Sequence, residues 1–191
     1  WYKNLINKTE YNISLECFNQ LQNLPAIFEA NDKFNAIRAN KVALEFNQKY
    51  IIKGGGNEYQ RLEDIAQLNS TFILPLNFPE AYDVSDILDA DNITLTDLKH
   101  WELAPSNPAF LEKQNINFCF TAYDLKDKKL FLPNVRKAIK NGLSEKMALK
   151  ALTHNPATLI NCSNKVGALK SNYIANFFIS NKSVFEDDCE I

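Results

Sequence analysis

The sequence predicts an α/β fold made of parallel strands joined by crossover helices. Short apolar runs of strand length recur four times, and each is followed by a stretch with helical spacing. No strand is followed by Gly-x-Gly-x-x-Gly, and no Lys-Ser or Lys-Thr follows Gly54-Gly55-Gly56, so the phosphate-binding turns of the rival, an open doubly wound sheet, are missing. Four strand–helix units amount to half of an eight-stranded, TIM-type (β/α)8 barrel, which cannot close on itself.

Asn12 to Asn23 reads as a helix, with Leu15, Phe18, Leu21 and Gln22 on one face. Leu24 to Phe28 follows as a short strand ending at Glu29-Ala30. Asn31 or Asp32 can cap the next helix, whose apolar positions are Phe34, Ile37, Leu44 and the stem of Lys41. Tyr50-Ile51-Ile52 is the second strand, stopped by the three glycines, which suit a tight turn. A helix over Asn57 to Leu68 leads to the third strand, Thr71 to Leu76.

From about Asn77 to Pro105 the rhythm breaks into a connection far longer than the usual loop of roughly two to six residues. It carries Asp83, Asp86, Asp89 and Asp91, and reads either as a lid over a site or as a surface excursion. A short helix over Pro108 to Gln114, the strand Phe118 to Thr121 and a helix from Leu132 to Asn141 follow, the last ended by Gly142. Ser144 caps one more helix, through Leu152.

With 46% hydrophobic residues among 191, the chain can fill an ordinary domain core. A net charge of −2 with no basic stripe argues against general nucleic-acid binding, and no apolar run has the length of a membrane span. Trp1 to Asn7 read like a chain caught in mid-element, so a fragment or processed piece is expected and the compartment stays open. Cys17, Cys119, Cys162 and Cys189 lack metal-knuckle spacing and read as thiols. The triplets Asn7-Lys8-Thr9 and Asn92-Ile93-Thr94 arise readily in so Asn-rich a chain, and glycosylation is the weaker reading.

One stretch is more specific. Asn141-Gly142-Leu143-Ser144 leads to Ala151-Leu152-Thr153-His154-Asn155-Pro156-Ala157, then to Val166-Gly167-Ala168-Leu169 and Ile174-Ala175-Asn176-Phe177. This run resembles the closing signature of the amidohydrolase superfamily, near its imidazolonepropionase and deacetylase branches. The resemblance implies that residues 1–160 are the C-terminal half of the barrel and 161–191 are strands of a composite β-sandwich. It also implies hydrolysis of C–N or C–O bonds by water activated on zinc or another divalent metal, with ligands at the C-terminal ends of the strands.

At every ligand position that this half of such a barrel should supply, the sequence departs from the pattern. Phe28-Glu29-Ala30 stands where a strand-ending His is expected, Ile52-Lys53-Gly54 where His-Gly is expected, and Thr121-Ala122 where Thr-Asp is expected. Asp124 lies two positions beyond Ala122. Glu29, Lys53 and Ala122 are thus substituted ligand positions, and Gly54, Thr121 and Asp124 are candidates for a substrate-facing rim. His100 and His154 fall outside ligand positions, and His154 reads as a surface or helix-end residue. We assign no catalytic residue, metal ligand or bound cofactor to this segment.

Three functions follow as expectations. The first is a non-catalytic amidohydrolase-like half that scaffolds or binds substrate, with a Glu29–Lys53 ion pair in place of the metal; in the rival to that exchange, Glu29 is a ligand and Lys53 is carboxylated. The second is an active metal-dependent hydrolase of cyclic amides or N-acyl compounds with unfamiliar ligands. The third is a peptide- or glycan-binding module using Trp101, Phe110 and Tyr82. The partners expected are the remainder of its own barrel or a second copy, and a small-molecule amide, with neither nucleic acid nor membrane.

Overall fold

The computed structural model describes residues 11–21 and 24–190. Four strands, β1 (Ala26–Glu29), β2 (Tyr50–Lys53), β3 (Phe72–Pro75) and β4 (Phe118–Thr121), form one sheet in the order β1-β2-β3-β4. Every neighbouring pair is parallel. With helices between the strands, this is the partial TIM-type barrel that the alternation predicts.

Register explains the core. Ile52 pairs with Phe72 and Phe72 with Phe118, so these three form one row across the sheet, each fully buried. Leu74, two positions along β3, is buried on the same face by strand alternation. The neighbouring row, Lys53, Ile73 and Cys119, belongs to the opposite face.

The first two helices both differ from their sequence reading. In α1 (Ile13–Gln20), capped by Asn12, no residue is buried, and Phe18 and Leu21 stand 65% and 56% exposed. Leu15 of the expected apolar face is half-buried; Gln22 and Asn23 lie outside the described residues. α2 (Lys33–Glu45) starts at Asp32, whose carboxylate accepts from the Phe34 and Asn35 amides. It buries Ala36, Ala39 and Ala43, whereas Phe34 and Leu44 face solvent. Small side chains let the helix axis approach β2 closely, which bulkier residues would prevent.

The 57–68 segment divides into a 3-10 turn over Glu58–Arg61 and α3 (Leu62–Gln67). The 77–105 connection is not one open loop, for it contains α4 (Ile87–Asp91) and α5 (Leu95–Leu103). Asp86 caps α4, and Thr94 and Asp97 form a capping box on α5. Asn92 of the Asn92-Ile93-Thr94 triplet donates to the Leu88 carbonyl at 2.8 Å, so both ends of that triplet serve helix boundaries. Asn7-Lys8-Thr9 and Trp1 to Asn7 lie outside the described residues.

Beyond it come α6 (Asn107–Lys113), α7 (Phe131–Lys140), α8 (Glu145–Leu152, capped by Ser144) and α9 (His154–Leu159). Gly142, at φ +102°, takes the left-handed position that ends α7.

Residues 161–190, expected as strands of a composite sandwich, run here as turns, bends and irregular chain without a strand partner among the described residues of this chain. A strand needs a neighbour to satisfy its backbone, and this tail finds α7 instead. The Arg136 guanidinium donates to the Val184 carbonyl, Lys140 pairs with Asp187 at 2.7 Å, and Phe185 packs on the core. Gly167 has a steric reason, since a Cβ there would lie 2.8 Å from that of Ala157. The four cysteines are free thiols, and burial pushes that of Cys119 up to about 11. No described helix is long and apolar enough to cross a membrane.

Candidate functional site

The C-terminal ends of the strands surround a cavity of about 220 Å³ lined by Glu29, Ala30, Asn31, Lys53, Gly54, Gly55, Pro75, Asn77 and Asp124. Parallel strands bring these residues together because each strand stops at the same pole of the sheet. Glu29 and Lys53 are paired in register on β1 and β2, and Lys53 Nζ donates to Glu29 Oε1 at 2.6 Å. This is the direct ion pair expected from the adjacency of the two strands. The Lys53 ammonium also sits 3.0 Å from the centroid of the Tyr123 ring, a cation–π contact.

The other candidates divide. Gly54 and Asp124 line the cavity; Thr121 and Ala122 do not. The Thr121 hydroxyl accepts the Tyr123 amide at 3.2 Å and so shapes the turn that carries the ring. Asp124 adopts φ +60°, a conformation that Asp tolerates in turns, and this aims the chain back over the mouth. Asp83, Asp86, Asp89 and Asp91 are exposed and line neither this cavity nor a second one at the opposite pole. His100 is occupied elsewhere: its Nδ1 lies 3.1 Å from the Tyr59 hydroxyl, and burial, then Lys33, hold its pKa down. Of the three aromatics read as a binding platform, Phe110 packs on Tyr59, and Trp101 and Tyr82 line neither cavity.

Beneath the mouth lies a residue that sequence reading missed. Glu58 is fully buried; its Oε1 accepts the Gly56 amide at 3.1 Å and its Oε2 accepts from Asn107 Nδ2 at 2.6 Å. Burial pushes its carboxyl pKa up, against the hydrogen bonds that pull it down. Asn107 in turn accepts the Tyr59 amide at 2.9 Å, which ties the mouth's glycine turn to α6. A carboxylate two residues after three glycines was the available signal, but burial cannot be seen in one sequence.

A divalent metal fits this mouth poorly. The central group is an ammonium held between a carboxylate and an aromatic face, and it would repel a cation placed there. Among the described residues, no three His, Cys, Asp or Glu side chains cluster closely enough to hold a metal. The pair itself is unequal, with Lys53 15% and Glu29 56% exposed at the side chain. Glu29→Ala is therefore expected to cost less than about 1 kcal/mol, and Lys53→Ala more, because it also loses the Tyr123 contact. A double-mutant cycle by urea denaturation should show coupling of about 0.5 kcal/mol or more. Strict additivity would reduce the two to independent surface charges.

No known family's sequence profile matches this chain, and no curated protein matches it in sequence. Its fold is similar to that of solved structures. An amidohydrolase from Thermotoga maritima MSB8 superposes with a TM-score of 0.70 at 18% identity, over 98% of this chain and 46% of that one. An uncharacterised protein superposes with a TM-score of 0.56 at 15% identity, over 84% of this chain and 39% of that one. The chain thus spans less than half the length of the proteins whose fold it shares.

Proposed function

We propose that this chain is the C-terminal half of an amidohydrolase-like barrel that binds or scaffolds without supplying metal-assisted catalysis from its own residues. The observation that carries it is the Lys53–Glu29 pair at 2.6 Å on two adjacent strand ends, with Tyr123 over the ammonium. The arrangement places a fixed positive group and two carboxylates, Glu29 and Asp124, around a small polar cavity. Such a mouth suits hydrogen bonding to a small amide, whose carbonyl can accept from Lys53 while its N–H faces a carboxylate. A carboxylated Lys53 would need a cation between itself and Glu29, and among the described residues no three His, Cys, Asp or Glu side chains cluster to hold one, which disfavours the carbamate alternative.

The partner we propose is the remainder of such a barrel. β1 and β4 are the two edges of the described sheet, and all four β1 residues are exposed, Ile27 at 58% and Phe28 at 40%. Parallel sheets are rarely left uncovered, because their faces are apolar and their edges present unpaired N–H and C=O groups.

The test is elemental analysis of the purified full-length protein, with light scattering on the same sample. No stoichiometric zinc, iron or manganese is expected, and no particle with bare sheet edges. About one tightly held metal per chain, lost in a Glu29→Ala variant, would establish the alternative: an active hydrolase with Glu29 as a ligand. A stable monomer of this segment alone would remove the need for the partner.

A further inference from the structure

The second cavity, of about 550 Å³, opens at the pole opposite the mouth, where the strands begin. Pro25, Tyr50, Thr71 and Asn117 bring the starts of the four strands to it, and α8 and α9 form its other wall. Its charged side chains are of one sign: Lys49 and Lys150 line it, beside the His154 ring, and no carboxylate does. None of the ion pairs among the described residues involves Lys49 or Lys150. We infer that this cavity is a binding site for a small organic anion, a phosphate monoester on an apolar stem, independent of the function proposed for the mouth.

The donors support that class. Two ammonium groups and the imidazole N–H suit the several acceptor oxygens of a phosphate, where charge-assisted hydrogen bonds are shorter and stronger than neutral ones. The Asn155 amide is committed to the Phe118 carbonyl at 2.6 Å, and the Thr158 hydroxyl to the His154 carbonyl at 3.0 Å. The first bond holds α9 against β4, the second lies within α9, and Asn117, Asn161 and Thr71 are further neutral polar residues of the lining. Pro25, Ile51 and Leu159 give the same cavity an apolar wall, which a bare inorganic anion would leave uncovered. The volume exceeds that of the mouth cavity more than twofold, enough for a stem of ring size.

Isothermal titration of the full-length protein with phenyl phosphate, inorganic phosphate and phenol tests this. Phenyl phosphate should bind more tightly than inorganic phosphate, phenol should not bind measurably, and added salt should weaken the interaction. Lys49→Gln and Lys150→Gln should each weaken phenyl phosphate roughly tenfold, the loss of one charge-assisted contact. Both lysines are exposed, so neither change threatens the fold. Three results would overturn the inference: no binding at millimolar ligand, binding indifferent to both substitutions, or binding lost in Lys53→Gln and kept in the other two. The last would move the anion to the mouth and leave the cavity without a ligand.

Discussion

Gly55→Ala is expected to destabilise the fold by about 3 kcal/mol, near the upper end of ordinary overpacking effects. A Cβ at this position would lie 2.2 Å from the Asn31 carbonyl oxygen and 2.7 Å from its carbon. Those are backbone atoms, and they are held. The Ala30 amide donates to the Lys53 carbonyl at 2.8 Å, Asp32 caps α2, and the Lys33 amide donates to Asn57 Oδ1 at 3.0 Å. Relief requires the loops after β1 and β2 to separate, which would also pull Glu29 from Lys53. Gly56 makes the internal comparison. It has φ +86° but its added Cβ would meet nothing nearer than 3.9 Å, so Gly56→Ala should cost only the left-handed strain of about 1–2 kcal/mol. Urea denaturation midpoints should rank Gly55→Ala well below Gly56→Ala. The reverse order would mean that the two loops are not in contact.

Glu58→Ala is expected to cost about 2–4 kcal/mol. It opens a cavity in a closed site and leaves the Gly56 amide and the Asn107 amide group without their acceptor. Glu58→Gln keeps the volume and isolates the charge. The folded carboxyl has its pKa raised above the ordinary 4.5, so its contribution to stability is fully present below that value and is lost as pH rises through the folded pKa. Wild type should therefore be most favourable relative to Glu58→Gln in acid and lose ground from about pH 4.5 upward. A stability difference that stays flat, or that grows with pH, would show that the hydrogen bonds from Asn107 and Gly56 outweigh burial. Asn107→Ala should lessen the cost of Glu58→Ala, because one of the two named partners is already gone, and should enlarge the pH effect, because the Asn107 hydrogen bond holds the Glu58 pKa down.

Some features were already determined by the sequence. Local chemistry placed Ser144 and Gly142 at helix ends and narrowed the cap of α2 to Asn31 or Asp32, of which the structure uses Asp32. The spacing of apolar runs placed all four strands within two residues of their observed limits. The Glu29–Lys53 contact was also legible, because two successive parallel strands ending at one pole leave little choice of neighbour. Only the tertiary structure decided the rest. Whether Phe34 or Ala36 faces inward on α2 depends on how closely β2 approaches, and Tyr123 meets Lys53 only through the turn that Thr121 and Asp124 make. Glu58 looked like any helix-start carboxylate until α6 was laid against it with Asn107. Residues 161–191 were read as sandwich strands, and the described part of them, to 190, has no strand partner among the described residues of this chain, because strand geometry is completed by a neighbour rather than by its own residues. Caps and periods are short-range and survive in one dimension; burial and pairing depend on residues far apart in the chain.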